Sequence, residues 1–250
     1  MPPRYEVIGI EGIGEVRPGD DIARIVLDAA ARQRTPVAGG DVLVLSQKIV
    51  SKSEGRLLNL TEVTPSTMAT TFAAELGRDP RLIEVILRES RRVVRMDRGV
   101  LVTETRHGWV CANAGVDQSN VDAEMVALLP EDPDRSARAF RDAVRTHTRS
   151  DVYVIVADTF GRPWREGLIN VAVGVAGLMP LKSYLGELDP AGHVLQATIL
   201  ALADELAGAA EPVMGKLDRI PAAIIRGLDW EPGEVGSQPL IRDPDRDLFR

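Results

Sequence analysis

Apolar residues recur along this chain on two periods, and the changes between them mark out its elements. The run Tyr5 to Ile10 reads as a strand, and the glycine-rich stretch Glu11-Gly12-Ile13-Gly14-Glu15 turns the chain after it. Asp20 or Asp21 is placed to cap a helix whose apolar positions Ile22, Ile25, Val26 and Ala29 follow helical spacing. Gly39-Gly40-Asp41 introduces Val42 to Leu45, an apolar run of buried-strand length. Ser66 caps a predicted helix to about Leu76, and Pro80 opens another to about Glu89. Val93 to Cys111 reads as two or three strands, the last two separated by a turn at Arg106-His107-Gly108. The polar stretch from Asn113 to Asp122 interrupts the pattern. Pro133 then starts a helix to about Thr148, and Val152 to Val156 is a continuous apolar strand that leads directly into Asp158-Thr159-Phe160-Gly161-Arg162. Leu168 to Val175 is β-like, Val194 to about Ala207 reads as a helix, and Ala222 to Ile225 as the last strand before a polar, proline-bearing tail, 229–250. Strands and helices alternate without a strict βαβ period. The expectation is an α/β (α+β) fold with an unusual mixed sheet.

Composition narrows the function. The chain has 250 residues, enough for one large domain, 1–250, or two modest lobes, and 44% of them are hydrophobic. A net charge of -7 argues against a broad nucleic-acid surface. One cysteine, Cys111, excludes a disulfide within the chain, and it reads as a small core residue. Neither a signal-peptide pattern nor an apolar run of membrane length is present, so a soluble cytoplasmic protein is expected. Three isolated histidines make no zinc pattern and leave few bases for nucleophilic catalysis. Chemistry falls to carboxylates, lysines, arginines and bound metal. Common nucleotide motifs are missing: Gly215-Lys216 is followed by Leu217, and Gly12 and Gly14 lack the third glycine of a dinucleotide fingerprint.

Four segments carry chemistry. In Asn113-Ala114-Gly115-Val116-Asp117-Gln118-Ser119-Asn120, Asp117 suits a hard cation, with an Asx-turn as the plain alternative. In Asp158-Thr159-Phe160-Gly161-Arg162-Pro163-Trp164-Arg165 an acid stands at the carboxyl end of a buried strand, where α/β proteins place ligands. Arg162 and Arg165 suit a carboxylate or phosphodiester. The alternative is a surface loop of paired charges. Two carboxylates about 4 Å apart repel by roughly 4 kcal/mol at an effective dielectric near 20, and a divalent ion reverses that sign. Ser46 to Arg56 holds two lysines, an arginine and three serines suited to phosphate, or else forms a solvated strand edge. Pro212 to Pro221 joins a helix to a strand, as a nucleotide loop or a plain connector.

In this order, the motifs Glu11-Gly12-Ile13-Gly14, Gly40-Asp41-Val42-Leu43-Val44, Val50 to Arg56, Asn113 to Asn120, Asp158 to Arg162 and Ile220-Pro221-Ala222-Ala223 resemble the coenzyme F420-0:L-glutamate ligase family in its stand-alone form. They are also similar to the N-terminal domain of the mycobacterial two-domain F420 ligase. The resemblance spans about Tyr5 to Phe249. It implies a GTP-dependent amide ligase that adds L-glutamate to F420-0, uses Mg2+ or Mn2+ with a monovalent cation such as K+, and forms an intertwined, butterfly-like homodimer. It implies metal ligation by Asp117, Asp158 and Thr159. GTP contacts are implied for Ile13, Gly14, Glu15, Val16, Ser46, Lys52 and Asn120, and for a late loop that includes Met214, Gly215 and Lys216. Catalytic weight then rests on Asp117, Asp158 and Lys52. Some archaeal members carry an acidic, glycine-richer loop where this chain has Lys216-Leu217-Asp218-Arg219. A metal-dependent phosphohydrolase or nucleotidase, and a nucleotide-binding regulator without turnover, are the rival functions.

Overall fold

The computed structural model describes residues 2–119 and 122–247. In chain order its elements are β1 (Glu6–Gly9), α1 (Ile22–Arg32), β2 (Val42–Ser46), α2 (Gln47–Ser53), β3 (Leu57–Asn59), α3 (Thr67–Leu76), α4 (Pro80–Arg88), β4 (Ser90–Asp97), β5 (Val100–Thr105), β6 (Val110–Ala112) and β7 (Met125–Ala127). Then come α5 (Pro133–Thr148), β8 (Tyr153–Arg162), β9 (Arg165–Leu178), β10 (Lys182–Ser183), β11 (Ile199–Leu200), α6 (Leu202–Met214), β12 (Ala222–Arg226) and β13 (Pro232–Gly233). The fold is mixed α/β, as expected.

A six-stranded sheet runs in the order β1-β12-β2-β8-β9-β13. Only β2 and β8 pair in parallel, with Val44 opposite Ile155; the other neighbours are antiparallel. The unbroken apolar runs of β2 and β8 follow from burial on both faces. Leu43, Leu45, Val154 and Val156 pack with α1 and α5 residues such as Val26 and Phe140. Val42, Val44, Ile155 and Ala157 pack with Leu206, Ala207 and Ala210 of α6. Small residues permit the closest approaches. A Cβ on Gly174 of β9 would lie 2.4 Å from the Pro133 carbonyl oxygen at the start of α5.

A third core joins β3, β7, β5, α3 and α4 through Leu60, Ile83, Ile86, Leu101 and Val126. Helix starts follow local chemistry. Asp21, Ser66, Asp79 and Asp132 each accept a backbone N–H of the helix they precede.

Three expectations are corrected. The helix placed at Val194 to Ala207 begins only at Leu202 and runs to Met214. The preceding residues are extended instead, and Ile199–Leu200 pairs with Lys182–Ser183. Asp204 and Glu205 favour a helix N-terminus at Leu202, whereas β-branched residues before it suit the ribbon. Asp158 to Arg162 is no loop after a strand. β8 continues through it because the fourteen-residue β9 pairs alongside, Asp158 opposite Val171 and Thr159 opposite Asn170. The basic segment after β2 is the helix α2, with Ser46 as its cap, rather than a strand edge. The tail adds one further short strand, β13, and buries Ser237 against Asp134 and the Val173 carbonyl.

Candidate functional site

Asp117 is brought into place by a tightly wound loop. Asn113 and Ala114 both have left-handed backbone (φ 55 and 54), an uncommon conformation for residues with a Cβ. Gly115 follows at φ 69, where an added Cβ would meet the Leu129 side chain at 2.8 Å. The loop delivers Asp117 to Ala127 of β7, and the two exchange backbone hydrogen bonds of 2.9 and 2.8 Å.

The Asp117 carboxylate then faces α2. Its Oδ2 lies 2.8 Å from Lys48 Nζ, and its Oδ1 accepts the Ser119 N–H at 2.7 Å. Lys48 Nζ also donates to Ser119 Oγ at 2.5 Å. Burial pushes the Asp117 carboxyl up, but the Lys48 ammonium and the Ser119 N–H outweigh it and hold the group below its ordinary range.

Asp158 projects from β8 toward the same place. Burial raises its pKa to about 6, the Thr159 N–H pulls it partly back, and the negative charge of Asp117 raises it further, against Lys48 and Lys216. Two carboxylates from distant segments therefore feel one another's charge beside two ammonium groups. Cys111 of β6 stands near enough to feel Asp158; burial first, then that charge, lifts its thiol to about 12, so it stays a protonated core residue.

Thr159 occupies the other side of the strand. Successive side chains alternate between faces, and pairing is regular from Ala157 to Gly161. Thr159 Oγ1 donates to Asn170 Oδ1 at 2.7 Å, and Asn170 Nδ2 donates to Glu211 Oε2 at 2.6 Å. Lys216 Nζ closes the ring, 2.6 Å from Thr159 Oγ1 and 3.0 Å from Glu211 Oε1. The expected metal set is thus divided, with Asp117 and Asp158 on one side and Thr159 on the other.

The remaining expected residues fall into place unevenly. Lys52, one turn after Lys48 on α2, pairs with Glu15 and so ties the glycine-rich turn to the helix. Ile13 and Val16 are 7% and 5% exposed within the core, so any ligand contact there is through the backbone, whereas Gly14 and Glu15 are exposed. The Ser46 hydroxyl is engaged as the α2 cap, 3.4 Å from Lys48 N. Met214 is buried at the end of α6, and Gly215 turns the chain at φ 57 toward Lys216. Asn120 lies outside the described residues. Arg162 and Arg165 face each other at the tip of the β8–β9 hairpin, four and seven residues beyond Asp158. Four residues of strand span about 13 Å, so neither arginine joins the two acids.

Asn170 and Glu211 go unnoticed in the sequence, and Lys48 reads there only as one of two lysines suited to phosphate, not as the partner of Asp117. The Lys48–Lys52 spacing of four is a helical signal once α2 is recognised, and Asn170 is the one amide within the apolar run of β9. A cavity of about 340 Å³ beside His107, Trp109 and Asp134 is not this site. Its Asp134 is committed to the N–H groups of Val175 and Ser237.

Among the described residues no cluster of three or more His, Cys, Asp or Glu side chains surrounds one point. Two carboxylates nevertheless fit a Mg2+-type ion, which commonly takes one or two carboxylates and completes its shell from phosphate and water. Of the two acids only Asp117 has an ammonium in ion-pair contact among the described residues, that of Lys48.

The sequence profile described as F420-0:Gamma-glutamyl ligase matches residues 11–227. The chain is 45% identical over 247 residues to the "Coenzyme F420:L-glutamate ligase" of Methanothermobacter thermautotrophicus, covering 98% of both chains. It is 47% identical over 252 residues to the protein of that name from Methanopyrus kandleri, covering 99% of this chain and 97% of the relative. The protein of that name from Methanocaldococcus jannaschii is 38% identical over 248 residues, with 99% and 97% covered. The chain belongs to the F420-0:gamma-glutamyl ligase family and is a ligase.

Proposed function

We propose that this protein joins L-glutamate to coenzyme F420-0 through an amide bond, with GTP as phosphoryl donor and a divalent ion at Asp117 and Asp158. The observation that carries this is the convergence of those two acids beside Lys48, with the charge of Lys216 also felt at Asp158, where α2 leaves β2 and midway along β8. A free carboxylate does not acylate an amine, because oxide is a poor leaving group. The γ-phosphoryl group of GTP passes to the lactyl carboxylate of F420-0, giving an acyl phosphate and GDP. The glutamate amine then attacks the acyl carbon, loses a proton, and expels inorganic phosphate. A later round adds glutamate in γ-linkage.

In this scheme Mg2+ or Mn2+ offsets phosphate charge, and the chain's own groups set the geometry. Asp117 and Asp158 ligate the ion. Lys48 and Lys52 present ammonium groups from one face of α2 to phosphate oxygens, and the backbone of 13–16 and the 214–216 loop flank the nucleotide. Arg162 and Arg165, at the hairpin tip, suit the distant phosphodiester of a long acceptor, with the exposed Trp164 between them available to the deazaflavin ring.

The intertwined homodimer belongs to the same proposal. Residues 182–200 form a narrow arm whose Leu185, Leu188, Val194 and Ile199 are all at least 46% exposed. No helix among the described residues is long and apolar enough to cross a membrane, in keeping with cytoplasmic action on soluble substrates. The deciding assay combines purified protein, F420-0, GTP, Mn2+ and glutamate. GDP formation that requires glutamate, with a product heavier by one glutamyl residue, supports ligation. Phosphate release independent of glutamate supports the phosphohydrolase instead.

A further inference from the structure

The two sides of β8 differ in charge balance. On the Asp158 side, Asp117 is paired with the Lys48 ammonium, whereas Asp158 has no ion pair among the described residues and feels Lys48 and Lys216 only as nearby charges. On the Thr159 side, the single carboxylate of Glu211 is matched by the single ammonium of Lys216, and Thr159 and Asn170 are neutral. The second side has its cation in contact; on the first, Asp158 has none.

The ring that holds Lys216 is closed. Asn170, 4% exposed, receives the Thr159 hydroxyl and donates to Glu211, so both oxygens that hold the ammonium are themselves fixed. An ammonium has three donors, and two are spent here. One donor remains, on a side chain that is 56% exposed and whose charge is felt by Asp158.

We infer that Lys216 is a chain-supplied cation that keeps a divalent ion from Thr159, so that one ion binds per chain, at Asp117 and Asp158, and Lys216 gives its third N–H to a nucleotide phosphate oxygen. A divalent ion on Thr159 would stand beside the Lys216 ammonium, 2.6 Å from the same hydroxyl, and would be repelled by its charge. The inference rests on the nucleotide and metal assignment proposed above. It adds the number of ions and the role of one lysine.

Mn2+ bound per chain, counted by electron paramagnetic resonance with a non-hydrolysable imido analogue of GTP, tests it. One ion is expected for the unmodified protein. Two ions would overturn the inference and leave the metal assignment standing. No bound ion would overturn both. Lys216→Glu puts a second carboxylate beside Glu211 and Thr159 and is expected to raise the count to two; a count that stays at one would overturn the inference. Lys216→Met keeps the length and removes the charge. It is expected to weaken binding of the analogue without Mn2+ by about tenfold, the loss of a charged hydrogen bond. Unchanged binding in that variant would equally overturn the role of the third donor.

Discussion

At the scale of single residues, the unlike behaviour of two aspartates defines the site. Asp117 is held ionised by Lys48 and Ser119, while Asp158 is pushed up to about 6 by burial and by Asp117 itself. Asp117→Asn and Asp158→Asn keep size and remove the carboxylates proposed to anchor the ion. Each is expected to lower metal-dependent glutamylation at least 10- to 100-fold, with metal affinity falling in parallel. Near-normal rates in both would sink the metal assignment. Lys52→Ala removes an ammonium held at the glycine-rich turn, and a raised GTP requirement is expected in steady-state kinetics; an unchanged one removes Lys52 from the nucleotide site. Asp204 offers a test of pH dependence away from the chemistry. Burial raises its pKa above the ordinary 3.8, and the Ala172 N–H opposes this. A folded-state pKa above the unfolded one means that its contribution to stability is complete below the unfolded value and is lost as pH rises through the folded one. Asp204→Asn retains an oxygen for Ala172 N–H without the charge. Urea midpoints at pH 4.5 and 7.5 should therefore lie closer together in the variant, and a wider gap would contradict this account.

At the scale of elements, the site depends on how β2, α2 and β8 are locked together. α2 is only seven residues long, so packing rather than propensity sustains it; Ile49 and Val50 are buried against the core beneath it. Its opposite face carries Lys48 and Lys52 to the acids and to the glycine-rich turn. The base of β2 is fastened to β12 by a buried ion pair. Asp41, 1% exposed, accepts from Arg226 Nε at 2.8 Å and from Nη2 at 2.6 Å, and also from the Ala38 N–H at 2.7 Å. Removing one partner strands the other, so Asp41→Ala is expected to cost about 3 kcal/mol in urea unfolding, with no change in metal stoichiometry in the folded fraction. A loss under 1 kcal/mol would show that water satisfies Arg226 equally well.

At the scale of the whole molecule, the arm at 182–200 stands apart from the three cores. Leu188 and Val194 lie opposite one another on it, and both are exposed. If the arm embraces a second copy, Leu188→Asp combined with Val194→Asp should convert a dimer to a monomer in analytical ultracentrifugation, with the melting temperature of the separated chain still measurable. A monomer in the unmodified protein would remove the homodimer from the proposal.

Local rules made much of this architecture legible in advance. Caps and prolines marked the starts of α1, α3, α4 and α5, because a capping oxygen acts on an N–H two or three residues away. Continuous apolar runs marked β2, β8 and β12, because two-sided burial leaves no polar position. Order and spacing of short motifs pointed to Asp117, Asp158 and the family. Tertiary structure alone decided the rest. Strand β8 runs through Asp158 and Thr159 because β9 pairs with it, their partners Val171 and Asn170 lying thirteen and eleven residues on, where local propensity does not reach. The same pairing puts the two residues on opposite faces and divides the expected ligand set. Lys48 reached Asp117 across sixty-nine positions, and Lys216 reached Thr159 across fifty-seven. Sequence determined which charges the chain possesses; only the fold decided which of them share a low-dielectric neighbourhood, where a carboxylate's charge is felt strongly enough to require a cation.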